Sequence, residues 1–140
     1  MEEEEPEMTD TRYDTITRED LAARLERGAP NNEDRSAGFA LVNVLEPEQF
    51  ERERIPGSAN IPRGREDAFE QRFDKDKEII VYCASPECDA SEKAARELTR
   101  RGFQRVVEYP DGLADWRDAG RTIVGTASGA FPRPTRGRAQ

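Results

Sequence analysis

Apolar residues in this chain fall into short, nearly unbroken runs, separated by stretches where they recur every three or four positions. Phe39-Ala40-Leu41-Val42-Asn43-Val44 is one such run, with the character of a parallel strand buried on both faces. Glu78-Ile79-Ile80-Val81-Tyr82 is a second, Val106-Val107 a shorter third, and Tyr13 to Ile16 a fourth. Leu21, Ala22 and Leu25 lie on one face of a helix. Thr17, with Asp20 three residues on, opens that helix in a capping-box-like arrangement, and Gly28 stops it. Pro47 suits the first turn of a short helix through Glu53. Phe69 and Phe73, four apart, mark another. Ala94, Ala95 and Leu98 stripe a helix from Ser91 to Arg101, with Gly102 at its C′ position. A last helix begins at Gly112-Leu113-Ala114-Asp115-Trp116 and ends near Gly120. Asn31 to Ser36 reads as a polar loop, Ile55-Pro56-Gly57 as a turn, and Ile61-Pro62 as the end of the loop after it. No internal repeat is visible. Strands alternating with helices predict an α/β fold, a small and mostly parallel sheet flanked by helices on both faces. In such sheets ligands bind at the carboxyl ends of the strands.

Charge changes the picture at the ends. The 140 residues carry 22 Lys and Arg against 30 Asp and Glu, a net charge of −8. Residues 1–10 hold six acids and no base, and residues 121–140 hold four arginines and no acid. The expected organisation is therefore a disordered acidic tail at 1–11, a folded domain at 12–124 and a flexible basic tail at 125–140. The acidic body repels phosphate, so no nucleic-acid partner is expected. No apolar run is long enough to cross a bilayer, so no membrane association is expected. The Met1-Glu2-Glu3-Glu4-Glu5 start is the opposite of a basic signal-peptide region. Two cysteines without a secretory signal point to the cytoplasm. The charged surface suggests a monomer.

Within this frame Cys83 is the candidate for chemistry. It ends the Glu78–Tyr82 run and opens a polar segment, Ala84-Ser85-Pro86-Glu87-Cys88-Asp89-Ala90, directly before the Ser91–Arg101 helix. Free N–H groups and the positive dipole end at a helix N-terminus favour a thiolate or a bound anion. A depressed thiol pKa would make a better nucleophile. The plain alternative is a small buried hydrophobe at a strand end.

Three stretches, in order, resemble the rhodanese-like domain. Leu41-Val42-Asn43-Val44-Leu45-Glu46-Pro47-Glu48-Gln49-Phe50 looks like the family's first signature strand and the acidic helix after it. Ile55-Pro56-Gly57-Ser58-Ala59-Asn60-Ile61-Pro62 is close to its "HIPGA-NIP" turn. The third runs from Ile80-Val81-Tyr82-Cys83 through Gly102-Phe103 to Gly112-Leu113-Ala114-Asp115-Trp116 and Ala119-Gly120. The resemblance implies a rhodanese-like fold and a thiosulfate- or persulfide-dependent sulfurtransferase with Cys83 as nucleophile. Its thiolate would take sulfane sulfur from a small donor as a persulfide and pass it to a thiol acceptor, a protein thiol included. Ala84, Ser85, Pro86, Glu87, Cys88, Asp89, Ala90 and Ser91 would form the substrate-binding loop, whose N–H groups cradle the persulfide without metal or cofactor.

The departures from the family pattern lie at this site. Many active members carry an Arg five residues after the nucleophile to hold an anionic donor; here that position is Cys88, and no Arg lies between Cys83 and Ser91. Glu87 and Asp89 stand there instead, and carboxylates repel thiosulfate and raise a thiol pKa. The loop is also longer than the compact version. Asn43 replaces the usual Asp of the first signature strand, Leu45 the nearby Arg, and Arg54 the usual His before Ile-Pro-Gly. Cys88 is either a resolving thiol for Cys83 or a loop filler. The alternative function is a non-catalytic rhodanese-like module that binds a partner or senses oxidation through Cys83 and Cys88. Zinc is not expected, because there are no histidines and only two thiols. Glu87 with Asp89 as an acid/base pair, and a phosphatase without a loop Arg, are weaker readings. Arg54 and Arg63 could supply the missing positive charge. Ser85 and Ser91 could donate to a persulfide, although Ser91 reads more simply as a helix cap. Trp116 reads as core, Asp111 as lying near the mouth of the site, and Gly57 and Gly112 as backbone positions.

Overall fold

A computed structural model describes residues 12–126. The acidic tail expected at 1–11, and all of the basic tail beyond Thr126, lie outside the described residues. Five strands run β1 (Asp14–Thr15), β2 (Phe39–Asn43), β3 (Ala59–Asn60), β4 (Glu78–Tyr82) and β5 (Arg105–Tyr109). Five helices interleave them: α1 (Arg18–Arg27), α2 (Pro47–Arg52), α3 (Asp67–Arg72), α4 (Ala90–Arg100) and α5 (Gly112–Asp118). The strands form one sheet in the order β1-β5-β4-β2-β3, and every pairing is parallel. The β4 strand sits at the centre, with Asn43 opposite Tyr82 on one side and Tyr109 opposite Tyr82 on the other.

The two faces of the sheet explain the apolar pattern. Ile79, Val81 and Cys83 face a core built with Phe69 and Phe73 of the α3 region and Ala94, Ala95 and Leu98 of α4. Ile80 and Tyr82 face the opposite core, with Leu21 and Ala22 of α1 and Leu113 and Trp116 of α5. All of β2 is buried, which is why its sequence is a continuous run with no alternation. Each fully buried Leu, Ile or Phe contributes about 1.5–3 kcal/mol of transfer free energy. The expected α/β sheet with helices on both faces is therefore the fold observed.

Local signals set the helix ends. Thr17 Oγ1 accepts from the Asp20 amide at 3.1 Å at the start of α1. Gly28 follows α1 with φ 179°, so it ends the helix in an extended conformation and no left-handed turn is made. At the end of α4 the Gly102 amide donates to Thr99 O at 3.0 Å and the Phe103 amide to Leu98 O at 3.1 Å, the two reverse bonds of a Schellman stop. The Ile55–Ser58 turn closes with Ser58 N donating to Ile55 O at 3.2 Å, and Gly57 takes φ 85° there.

One strand was not anticipated. Ala59–Asn60 pairs with Val42–Asn43 as edge strand β3, inside a stretch read only as loop. Two residues carry too little pattern to signal a strand. What holds it is specific: the Asn60 side-chain amide donates to Asn43 O at 3.0 Å and to Leu45 O at 2.9 Å.

Candidate functional site

Cys83 immediately follows the last residue of β4, at the carboxyl edge of the central strand, where open parallel sheets place their ligands. The chain then loops through Ala84–Asp89 and enters α4. The first turn of α5 grips the start of this loop from the other side. The Leu113 amide donates to Cys83 O at 2.9 Å and the Ala114 amide to Ala84 O at 2.8 Å. Gly112 makes that approach feasible. It adopts φ 73°, and a Cβ there would stand 2.7 Å from Ser85 N and 2.9 Å from Cys83 O. The backbone role read for Gly112 is thus a direct clamp on the loop. The loop closes on itself through Cys88 N donating to Ser85 O at 3.0 Å.

The thiol points inward. Cys83 is 1% exposed, and its Sγ lies 3.3 Å from Cys88 O and 3.3 Å from Ser91 Oγ. Ser91 lies inside the first turn of α4, whose N-cap is Asp89. It is therefore not the cap expected from sequence; its hydroxyl instead donates to Glu108 Oε2 at 2.7 Å. The thiol is pushed up to about 11, the direction expected of the loop carboxylates and the opposite of that expected of the helix N-terminus. Burial is the main cause and Cys88 adds to it, while the Ser91 hydroxyl and amide pull the other way without prevailing. A nearly dry thiol loses more from desolvation of its anion than one short helix dipole returns.

The other expected loop residues divide. Ala84 and Ser85 border a cleft of about 540 Å³ between α2 and α5, together with two acids, Glu48 and Glu53, and two arginines, Arg52 and Arg117. Pro86 and Glu87 are exposed, Cys88 is half-buried, and Ala90 is buried against the core. Both cysteines are free thiols. Asp89 is ion-paired with Lys93 at 3.2 Å and with Arg63 at 3.5 Å. Its charge beside the loop is thus countered, although exposed pairs of this kind contribute only about 0–1 kcal/mol. Of the two arginines proposed to supply positive charge, Arg63 stands at the loop. Arg54 is engaged elsewhere: its guanidinium lies 4.8 Å from the Phe50 ring centroid and donates to Phe50 O at 3.2 Å. Trp116 is core, buried edge-on to Tyr109 with its indole N–H donating to Thr122 O at 3.0 Å. Asp111 is the exposed N-cap residue of α5.

Two further residues belong to this picture: Glu108, which no sequence motif marks, and Asn43, which stands where the family has Asp. Glu108 is the carboxylate joined to the thiol, through Ser91, and is only 6% exposed. An acid within the strand run Val106-Val107-Glu108-Tyr109 was the available signal. Asn43, at the end of β2, is fully buried and accepts from the Leu45 amide at 2.8 Å. It shapes the turn that carries Leu45 to the cleft.

The family model for the rhodanese-like domain matches residues 17–119. The chain belongs to the rhodanese-like domain family. It is 31% identical over 83 residues to the Bacillus subtilis protein named "Putative sulfur carrier protein YrkF", covering 59% of this chain and 44% of that protein. The chain thus spans less than half the length of that relative. It is 32% identical over 83 residues to a protein named thiosulfate sulfurtransferase GlpE from Pseudomonas syringae, covering 59% of this chain and 76% of that one. Among solved structures, the BH2092 protein from Bacillus halodurans superposes with a TM-score of 0.69 at 30% identity, covering 86% of this chain and 82% of that one. Among the described residues no helix is long and apolar enough to cross a membrane.

Proposed function

We propose that this chain is a sulfurtransferase that carries sulfane sulfur as a persulfide on Cys83 and passes it to a thiol acceptor. The observation that carries the reading is the place of Cys83. It is a free thiol at the carboxyl end of the central strand, held between its own loop and the first turn of α4, with the Ser91 hydroxyl 3.3 Å from the sulfur. Family membership and a relative named thiosulfate sulfurtransferase support it.

In the forward step the Cys83 sulfur attacks the outer sulfur of the donor. The donor S–S bond breaks, and its electron pair leaves with the rest of the donor, as sulfite if the donor is thiosulfate. The Cys83 persulfide then gives its terminal sulfur to an acceptor thiol. Sulfur reaches Cys83 only when the 84–89 loop moves, because the thiol is closed off in the resting conformation. The cleft beside Ala84 and Ser85 offers a small donor a path to the loop.

Sulfite release from thiosulfate in the presence of a thiol, and thiol release from an organic persulfide, test the reading. Either activity should be present in the wild type and absent in Cys83→Ser. If neither donor turns over, the reading fails.

A second reading, a binding or redox module that uses Cys83 and Cys88 without sulfur transfer, is favoured by one observation. Both cysteines are free thiols in one short loop, with the Cys88 carbonyl 3.3 Å from the Cys83 sulfur. Reversible loss of two hydrogens on mild oxidation, abolished by either cysteine substitution, is its signature.

A further inference from the structure

The sulfur attack described above raises a problem that the loop does not solve. A thiol buried to this degree and pushed up to about 11 is scarcely ionised at neutral pH. Attack therefore needs a base, and neither loop carboxylate provides one, since Glu87 is exposed and Asp89 is committed to Lys93 and Arg63. The oxygen acceptors within reach of the Cys83 sulfur are the Cys88 carbonyl and the Ser91 hydroxyl. A carbonyl is no base, so the useful route leads through Ser91.

We propose that Glu108 is a positioning residue for Cys83 that, acting through the Ser91 hydroxyl, takes up the thiol proton as the sulfur attacks. The inference rests on Cys83 being the attacking sulfur. The geometry is a continuous chain: Cys83 Sγ to Ser91 Oγ at 3.3 Å, and Ser91 Oγ to Glu108 Oε2 at 2.7 Å. All three residues are buried, at 1%, 1% and 6% exposure. Because the Ser91 proton is directed at Glu108, its oxygen is left to accept from the thiol. Two protons then move in one direction. The Cys83 proton passes to Ser91 Oγ, and the original Ser91 proton passes to Glu108. The sulfur keeps its electron pair and forms the new S–S bond, and the donor's leaving group takes the pair of the bond that breaks. After the terminal sulfur has gone to the acceptor thiol, the Cys83 thiolate recovers its proton from Glu108 by the same route. No oxidant or reductant is consumed.

Other charged and titratable groups face Glu108 from beside β1 and from α4. Tyr13, from the chain entering β1, is pushed up to about 12 by burial and by the Glu108 charge, so its phenol remains a donor to Glu108. On α4, Arg96 acts favourably on Glu108, while Glu92, the ion-pair partner of Arg96, adds negative charge nearby. Cys88 is the titratable neighbour on the thiol side.

The test is the pH profile of Cys83 modification by methyl methanethiosulfonate, a small reagent that transfers no sulfane sulfur. The modified site is resolved from Cys88 by fragment mass spectrometry. If Glu108 accepts the proton, the wild-type rate is nearly independent of pH from about 6 to about 8, because removal of the thiol proton no longer depends on hydroxide. Glu108→Gln and Ser91→Ala should each convert this plateau into a rise of about tenfold per pH unit, the slope of simple thiol ionisation, with a rate at about pH 6 down by roughly 100-fold. A Glu108 that merely repels the thiolate gives the opposite result, a Glu108→Gln variant faster at every pH. A wild-type rate that itself climbs tenfold per unit, or a Cys83 that does not react at any pH, overturns the proposal even if both variants misfold. Because no sulfane sulfur is used, a plateau without persulfide formation sinks only the functional reading, and persulfide formation without a plateau sinks only the relay.

Discussion

Gly112 lies against Cys83 so closely that a side-chain carbon on Gly112 would stand 2.9 Å from the Cys83 carbonyl oxygen, in a backbone with φ 73°. Helix α5 therefore begins on top of the Cys83 loop and ties its first amides to the carbonyls of Cys83 and Ala84. Gly112→Ala should cost about 1–3 kcal/mol in denaturant unfolding, from strained backbone together with forced separation of the two segments. It should also slow Cys83 chemistry in protein that is still folded. An unchanged unfolding midpoint would show that the contact is not a constraint.

Tyr82 ties the end of the central strand to the Ile-Pro-Gly turn. Its hydroxyl accepts from the Ile55 amide at 3.0 Å and lies 2.9 Å from Ser58 Oγ. Tyr82→Phe keeps the packing and leaves the buried Ile55 amide without a partner, so a loss of about 1–3 kcal/mol is expected by chemical denaturation.

Lys77 is a fully buried cation with three carbonyl partners, Asn31 O at 2.8 Å, Asp34 O at 2.7 Å and Ala37 O at 2.6 Å. It organises the polar loop ahead of β2. Lys77→Met removes the donor and strands these carbonyls, which should destabilise the fold by about 3 kcal/mol. The proton-exchange protection of residues 31–37 should fall with it. A variant as stable as wild type would contradict this role.

The Cys83 thiol gives a pH signature. Its folded-state value of about 11 lies above the ordinary 9.0, so the native state binds more protons than the unfolded chain between the two. The resulting stabilisation is complete below about pH 9 and is lost as pH rises through about 11. The difference in unfolding free energy between wild type and Cys83→Ala should therefore shift in favour of the variant over that window. A difference independent of pH would mean that the thiol is not perturbed by burial.

How much of this was readable beforehand depends on range along the chain. The β2 and β4 runs, the Leu21-Ala22 face and the Gly102 stop rest on neighbouring residues, and each fell where its local pattern put it. The carboxyl-edge position of Cys83 followed from the same alternation. What escaped depends on pairing across the fold. Ser91 was read as a cap because caps are local, whereas its hydroxyl is claimed by Glu108, 17 residues away. The Lys77 ammonium reaches Asn31 across 46 positions. Edge strand β3 pairs with β2 over only two residues and is anchored by the Asn60 side chain. For the thiol the sequence offers opposing signals, a helix N-terminus that lowers its pKa and loop carboxylates that raise it, and the burial that decides the outcome is not visible there.

The most direct measurement is the intact mass of reduced protein after incubation with thiosulfate and, separately, with an organic persulfide, for wild type, Cys83→Ala and Cys88→Ala. A gain of one sulfur, about 32 Da, in wild type and Cys88→Ala but not in Cys83→Ala is the result expected of a persulfide carrier. No gain from either donor, or a gain that survives Cys83→Ala and disappears with Cys88→Ala, would contradict the assignment of Cys83.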